Sequence, residues 1–179
     1  MKIKHSLIKI IFFLGIISGC FDNEIIHLSK IITFKGISYF GEHPFTGVGI
    51  DRYKNNQNKE KVYYKDGKKH GRSYSWYPNG QIKEKANFNN GKKIGGCFGF
   101  WPDGSIRFKK NYKMGLLHGE QNQWHQNGIL ARLSNYKDGK EYGKQKGWRS
   151  DGDLRYNYQM IDNRRYGFIG SKICVPVKM

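Results

Sequence analysis

Glycine, aromatic and aliphatic positions recur along the chain with a fixed step of 24 residues. One glycine column contains Gly47, Gly71, Gly95, Gly119, Gly143 and Gly167, and another contains Gly80, Gly104, Gly128 and Gly152. The apolar columns with the same step are Trp76, Phe100, Trp124, Trp148; Tyr64, Phe88, Tyr112, Tyr136; and Ile82, Ile106, Leu130, Leu154. A constant period means that one small unit is copied end to end, so the pattern predicts a stack of structural repeats.

Two turn signals divide each repeat into two strands. The segments Tyr77-Pro78-Asn79-Gly80-Gln81 and Trp101-Pro102-Asp103-Gly104-Ser105 place Pro at the first turn position and Gly where a positive φ is needed. This is the signature of a three-residue hairpin loop, and Lys65-Asp66-Gly67 fits the same loop at the other end of the unit. In the preceding period Asn56 occupies the glycine column, and Asn tolerates a positive φ. The sequence therefore predicts an all-β fold, an extended single-layer antiparallel meander of about five 24-residue β-hairpin repeats.

The predicted loops also indicate which side chains share a face of the sheet. A three-residue loop pairs residues of equal parity, and an even period carries that parity into every repeat. An aromatic face and an opposite basic face are therefore predicted as the candidate binding surfaces. The aromatic candidates are Trp76, Phe100, Trp124 and Trp148, and the basic candidates are Lys83, Lys85, Arg107, Lys109 and Arg155. The aromatic column is either the core or a partly exposed stacking ladder, and the basic columns are either a solvated face or an anion-binding surface.

The repeat spacing argues against catalysis and metal binding. Equivalent residues in adjacent two-strand repeats stand about 9.6 Å apart, because neighbouring strands are about 4.8 Å apart. His70 and His118 are thus on the order of 19 Å apart, too far to share a metal with ligand bonds near 2 Å. Asp66, Asp103 and Asp138 lie in turns, where their side chains bond the local backbone. No phosphate loop, CxxC or HExxH pattern occurs. A non-enzymatic protein without a metal or a cofactor is predicted.

The N-terminal residues 1–19 have the features of an export signal. Lys2, Lys4 and Lys9 precede an apolar stretch over residues 10–17, which is too short to span a bilayer. The segment Ile17-Ser18-Gly19-Cys20 resembles the lipobox of bacterial lipoproteins, in which the cysteine thiol carries a diacylglycerol. The resemblance implies a protein anchored in the membrane of the cell envelope through lipidated Cys20, and Phe21 favours the outer membrane if the cell is Gram-negative. Ordinary secretion with an incidental cysteine is the alternative.

Behind this segment the chain divides into a polar linker, a hairpin, the repeats and a tail. The predicted boundaries are 20–30 for the linker, 31–46 for the N-terminal hairpin, 47–168 for the repeats and 169–179 for the C-terminal tail. Cys97 shares a column with Ser73, Gln121 and Gln145, which indicates a small filler among polar positions. Cys174 lies roughly 30 Å away by strand spacing, whereas a disulfide needs Cα atoms within about 7 Å. An internal disulfide is therefore disfavoured, and Cys174 is either free or paired with another chain.

The charge of the chain points to anionic partners. Lys and Arg number 32 against 14 Asp and Glu, a formal charge of +18. About +15 remains once the three lysines of the export signal are removed. For an exported protein this charge favours phospholipid head groups, an envelope polymer or an acidic protein over nucleic acid.

The repeated unit carries a family resemblance. Segments such as Tyr136-Lys137-Asp138-Gly139-Lys140 and Trp76-Tyr77-Pro78-Asn79-Gly80 resemble the bacterial variant of MORN (membrane occupation and recognition nexus) repeats, found in proteins often labelled YwqK-like antitoxins. The resemblance covers about residues 31–168, with departures at Met114-Gly115-Leu116 and Asn163. It implies an extended sheet that binds proteins or lipids.

Together, these features predict a lipid-anchored, non-enzymatic interaction protein of the cell envelope that uses its repeat sheet as a scaffold for an unidentified protein partner. One alternative is a binder of anionic envelope lipid or polymer through the basic face. The other is an antitoxin or immunity-type protein that neutralises a cognate toxin.

Overall fold

The computed structural model describes residues 24–169 and 172–174, with side chains from 24 to 167. The predicted export signal, Cys20 and residues 175–179 lie outside the described residues. The strands are β1 Ile25–His27, β2 Ile32–Phe34, β3 Ile37–Phe40, β4 His43–Pro44, β5 Gly47–Arg52, β6 Asn58–Lys65, β7 Lys68–Trp76, β8 Ile82–Asn89, β9 Lys92–Phe100, β10 Ile106–Lys113, β11 Leu116–Leu117, β12 Gly119–Trp124, β13 Leu130–Lys137, β14 Lys140–Trp148, β15 Leu154–Ile161, β16 Arg164–Ile169 and β17 Lys172–Cys174.

Fourteen of these strands form one long sheet. The order is β1 and then β5 to β17 in sequence, with the short β11 pairing beside β10. Each strand from β5 onward pairs antiparallel with the next one along this path. The predicted all-β, single-layer antiparallel meander of hairpin repeats is confirmed.

The N-terminal segment covers one edge and part of one face of the long sheet. β1 pairs parallel with β5, and the Val48 amide donates to the Glu24 carbonyl at 2.8 Å. The sequence predicts a linker over 20–30, but a strand of three residues is too short to produce a readable alternation. Strands β2, β3 and β4 form a separate sheet. Phe45, the residue after β4, packs against the long sheet, where its ring centroid is 5.6 Å from that of Tyr64.

The two kinds of turn differ in length. The loop from Tyr77 to Gln81 is the predicted one: the Tyr77 amide donates to the Gln81 carbonyl at 2.8 Å, and Gly80 has a φ of 84°. At the other end of the repeat Lys65 pairs directly with Lys68, so only Asp66 and Gly67 form the loop. Both have a positive φ, as a type I′ turn requires. The prediction of a three-residue loop is wrong here, because two consecutive positive-φ residues already reverse the chain.

The prediction of separate aromatic and basic faces is also wrong. Trp76 pairs with Ile82, but Ser75 pairs with Glu84, so Lys83 is an extra residue in a β-bulge. Both this bulge and the two-residue turn change the parity between paired strands, so that odd positions of one strand oppose even positions of the next. Trp76, Phe100, Trp124 and Trp148 consequently share a face with Lys85 and Lys109, while Lys83, Arg107 and Arg155 occupy bulge positions.

Two rows of residues cross the sheet, one on each face. We call the first the outer row: Lys61, Tyr74, Lys85, Phe98, Lys109, Asn122, Leu133 and Lys146. We call the second the inner row: Val62, Ser73, Ala86, Cys97, Lys110, Gln121, Ser134, Gln145 and Tyr158. All of the inner row except Ser73 and Lys110 is buried, and these buried residues form the core of the long sheet.

A single layer buries the inner row because larger side chains on the same face lie over it. The Phe108 ring occupies the space where Gly99 would carry a Cβ, and the Tyr156 ring does the same at Gly147. Glycine is therefore required at these two positions for close approach.

Neighbouring turns are tied together by hydrogen bonds between residues 23 apart. The Tyr77 hydroxyl donates to the Phe100 carbonyl at 3.0 Å, and the Asn79 side chain donates from Nδ2 to the Pro102 carbonyl at 2.8 Å. In the next repeat, Trp101 Nε1 has no partner among the described residues, and the carboxylate of Asp103 has no N–H to donate. At the same place β10 and β12 share only two residue pairs, Phe108 with Gln123 and Lys109 with Asn122.

Candidate functional site

The four predicted aromatic candidates are half-buried on the outer face. Trp76, Phe100, Trp124 and Trp148 each lie two residues along a strand from an outer-row position. Trp76 stacks on Tyr74 with ring centroids 5.8 Å apart and an interplanar angle of 25°. Each ring thus contacts its neighbours through one part and offers the rest to solvent.

Of the predicted basic candidates, Lys85 and Lys109 lie among these aromatic rings. Arg107 instead lies over the Phe108 ring of the inner face, and Arg155 lies beside Tyr156. Lys85 Nζ is 5.1 Å from the Phe98 centroid and 5.7 Å from that of Phe100. Lys83 Nζ is 5.7 Å from the Tyr77 ring, a second cation–π geometry. Lys83, Lys85, Lys109 and Arg155 are exposed, Arg107 is half-buried, and none of the five has an ion-pair partner within residues 24–167. The outer face is therefore one mixed cationic and aromatic surface.

A shallow hollow of about 350 Å³ lies at the centre of this surface. It is lined by Arg72, Tyr74, Lys85, Ala86, Asn87, Gly96 and Phe98. Tyr74 and Phe98 were missed by the sequence reasoning, because their column continues with Asn122 and Lys146 and so shows no aromatic repeat. The available signal was local, an aromatic residue two positions before Trp76 and before Phe100.

On the inner face Cys97 lies beside an ion pair. Lys93 Nζ is 3.0 Å from Glu84 Oε1, and the Cys97 thiol donates to the same oxygen at 3.4 Å. Burial and the adjacent Glu84 carboxylate raise the pKa of Cys97 to about 11. Burial by itself would raise the pKa of Glu84 as well. The hydrogen bond from Lys93 and its positive charge outweigh the effect of burial, so the pKa of Glu84 lies below its ordinary value. Cys97 is thus a neutral buried thiol, in agreement with its interpretation as a filler.

Cys97 is expected to react slowly with thiol reagents in the folded protein. In a variant with Cys20 and Cys174 replaced by serine, labelling by Ellman's reagent at pH 8 should be at least two orders of magnitude slower than in denaturant, because a pKa near 11 leaves little thiolate and burial restricts access. The measurement is absorbance against time, with the same variant in denaturant as the control. Equal rates in the two conditions would contradict a buried thiol.

At the other end of the inner face a second charged cluster surrounds Glu141. Its carboxylate lies 3.3 Å from Arg132 Nη2 and 3.7 Å from Arg165 Nη2, and the Tyr158 hydroxyl donates to it at 3.1 Å. Burial, followed by the charge of Glu141, raises the pKa of Tyr158 to about 12. The phenol therefore stays protonated and acts as a hydrogen-bond donor.

Two inner-row glutamines bond backbone groups of neighbouring residues. Gln121 Oε1 accepts from the Asn111 amide at 2.8 Å, while its Nε2 donates to the Asn111 carbonyl at 3.1 Å. Gln145 Nε2 donates to the carbonyls of Asn135 and Tyr142 at 2.8 and 3.3 Å. The polar inner row thus satisfies backbone groups that lie in the core of the long sheet.

Among the described residues no three His, Cys, Asp or Glu side chains come together as a metal site. His118 Nδ1 lies 3.3 Å from an Asp138 carboxylate oxygen in the adjacent turn. None of the described elements is a helix with the length and apolar character needed to cross a membrane.

The geometry defines a β-repeat protein that presents open sheet surfaces. Residues 69–90 and 117–138 match the MORN repeat variant family. Each match begins in or just before one strand and ends beyond the next, spanning a hairpin with a Gly-containing loop at its centre. These two segments are therefore similar to MORN repeats, which commonly act as protein- or membrane-binding scaffolds. A comparison with curated proteins found no similar sequence.

Proposed function

We propose that this chain is a lipid-anchored, non-enzymatic interaction protein of the cell envelope, whose outer face binds a partner protein. The observation that carries the proposal is the mixed surface around Tyr74, Lys85 and Phe98, where half-buried rings alternate with exposed cations. The anchor rests on the lipobox-like segment that ends at Cys20.

The composition of the outer face resembles that of protein-binding hot spots. Tyr and Trp contribute large contact areas at a low cost in conformational entropy, and they dominate the binding energy of many protein interfaces. The neighbouring stacked pair of Tyr74 and Trp76 holds both rings in place before a partner arrives. Surrounding lysines supply a polar rim that remains in contact with water.

Crosslinking pull-down of the intact lipoprotein from its own envelope tests this function. We expect one protein partner, and we expect the double variant Tyr74→Ala, Phe98→Ala to reduce its recovery at least tenfold, because the central rings of an interface contribute most of its affinity. Tyr142→Ala is the matched control, since Tyr142 is an exposed tyrosine that lies outside the outer row. Equal recovery of the partner with the unchanged protein, the double variant and the control would exclude the outer face as the docking surface. Recovery of no protein partner at all would have the same meaning.

Binding of an anionic envelope lipid or polymer is a second candidate. It is supported by the exposed Lys83, Lys85 and Lys109, which have no ion-pair partner among the residues whose side chains the structure describes. Such binding would weaken steeply with ionic strength, whereas a ring-centred protein interface would change little. Replacing Lys83, Lys85, Arg107 and Lys109 together by Gln would abolish pelleting with phosphatidylglycerol vesicles in this case only. The antitoxin interpretation stays a prediction of the family resemblance and requires a toxin that co-purifies with the chain.

A further inference from the structure

An open trough of about 610 Å³ lies on the inner face at the C-terminal end of the long sheet. The side chains that matter for its chemistry are Arg132, Glu141, Arg155, Tyr156, Tyr158 and Arg165. Its volume is in the range of sites that enclose a small molecule or a short piece of a larger one.

The trough carries an excess of positive charge. Arg132 and Arg165 both lie within 4 Å of the Glu141 carboxylate and therefore close to each other. One carboxylate neutralises one of these two cations. Arg155, on the same wall, has no ion-pair partner within residues 24–167. Three arginines thus face a single acid, and an incoming anion would supply the missing negative charge.

The arginines are also held in position before any ligand binds. Arg132 donates from Nε to the Ser134 hydroxyl at 2.9 Å and from Nη2 to Glu141, which leaves Nη1 for a ligand. Arg165 lies over the Tyr158 ring, with Cζ 5.1 Å from the centroid. Tyr156 lies 5.6 Å from Tyr158 and adds an apolar surface beside the charges. A planar guanidinium that is already fixed in place binds a carboxylate with two parallel hydrogen bonds.

Equivalent positions in the earlier repeats do not build this cluster. One repeat before Arg132 and Glu141 the chain has Phe108 and Leu117, which are apolar. Two repeats before, Glu84 and Lys93 pair with each other and leave no excess charge. The start of the inner face is also covered, because β3 packs against the turn at Gly67. The cationic trough is therefore particular to the C-terminal end of the described sheet.

We propose that this trough binds an acidic segment of an extended peptide, with a carboxylate held by Arg132 and Arg155 and an apolar side chain against Tyr156. The side chain of Glu141 is 20% exposed and that of Arg132 40%, whereas Arg155 and Arg165 are exposed, so a narrow chain reaches all four charges more readily than a flat membrane surface does. A second copy of this chain is disfavoured, since each copy would carry a formal charge of about +15 without the three lysines of the predicted export signal. Trp148 also lines the trough, but Tyr74, Lys85 and Phe98 do not, so this proposal does not depend on the interface proposed around those three residues.

Fluorescence anisotropy of the full chain with a short labelled peptide of alternating glutamate and tyrosine tests the proposal. We expect saturable binding that weakens about tenfold or more in the double variant Arg132→Gln, Arg155→Gln, because bidentate contacts to the carboxylate are lost. The charge-matched control is Lys85→Gln, Lys109→Gln, which removes two positive charges from the outer face and should retain the affinity. Arg155→Gln alone, at an exposed position, should weaken binding several-fold without affecting the fold.

Three results would overturn the proposal. The first is an equal loss of affinity in the two double variants, which would reduce the effect to overall charge. The second is equal binding of a peptide with glutamine in place of glutamate. The third is binding of phosphatidylglycerol vesicles that displaces the peptide and depends on the same two arginines, which would assign the trough to lipid. The double variant Tyr74→Ala, Phe98→Ala should bind the peptide normally, so failure of the outer-face interface and failure of the trough are distinguishable.

Discussion

Replacing Gly67 by alanine is expected to destabilise the fold by about 3 kcal/mol, more than most single substitutions. Gly67 has a φ of 73°, where a residue with a Cβ costs about 1 kcal/mol. A Cβ at this position would also overlap Ile37 Cγ2 and lie 2.8 Å from the Ser38 carbonyl oxygen. Such overpacking typically costs a further 1–3 kcal/mol. The added methyl group would therefore push the sheet of β2, β3 and β4 away from the long sheet.

Gly91→Ala is the matched control for this effect. Gly91 occupies the same turn position one repeat later, with a φ of 78°, but an added Cβ would have no atom within 4 Å. Only the backbone strain of about 1 kcal/mol is expected there. Urea unfolding followed by tryptophan fluorescence measures both losses. Equal losses would show that the N-terminal sheet contributes no stability through its contact with Gly67.

Gln121→Leu is expected to cost about 2 kcal/mol, although leucine is apolar and similar in size. Gln121 is 4% exposed and bonds both the amide and the carbonyl of Asn111. Leucine would leave the Asn111 amide without a partner, whereas the carbonyl would keep the bond that it accepts from the His118 amide. One buried orphan costs about 1–3 kcal/mol, partly offset by the apolar side chain. The inner row therefore differs from an ordinary core, since replacing a polar residue by an apolar one destabilises it.

The equivalent change one repeat later should cost less. Gln145 Oε1 is buried and has no hydrogen-bond partner among the described residues, so Gln145→Leu removes an unsatisfied acceptor together with the bonds of Nε2. We expect a loss about 1 kcal/mol smaller than for Gln121→Leu. Gln159→Leu, at an exposed position, serves as the control and should change the unfolding free energy by less than about 0.5 kcal/mol. Equal values for Gln121→Leu and Gln159→Leu would contradict the bonding role of the inner row.

The fold could be predicted from the sequence because the period and the turn chemistry agree. Pro78, Asn79 and Gly80 encode a three-residue loop through local backbone preferences, and the structure has that loop. Asn56 takes a φ of 66° in the glycine column, so the turn persists in a degenerate repeat. Turns that depend on local backbone preferences and recur in several repeats could thus be predicted from this one sequence.

The faces could not be predicted because they depend on the exact register. The β-bulge at Lys83 adds one residue, and a shift of one residue moves a whole strand's side chains to the opposite face. No residue type in Gln81-Ile82-Lys83 marks this bulge. The alternation of Lys85 and Phe98 across the outer row became visible only with the observed pairing.

The inner-face trough was missed for a different reason. Arg132, Glu141 and Arg165 stand in columns that hold other residue types in the earlier repeats, so they produce no periodic signal. The parity argument had placed Arg132 and Glu141, 9 positions apart, on different faces. Glu141 and Arg165 are one period apart on strands with β15 between them, and no periodic signal marks their contact. A cluster of this kind occurs at one repeat junction only, so the 24-residue period does not predict it.

The junction between β10 and β12 is held differently from the others in the long sheet. Trp101 Nε1 has no partner among the described residues, and only two residue pairs join β10 to β12. The short β11 also pairs with β10, and Gln121 bonds both backbone groups of Asn111 across the same junction. The outer-face hollow lies before this junction, and the Glu141 trough lies after it. Because stability in a repeat array passes from neighbour to neighbour, any mechanical coupling between the two surfaces runs through the bonds of this one buried glutamine and the strand pairs beside it.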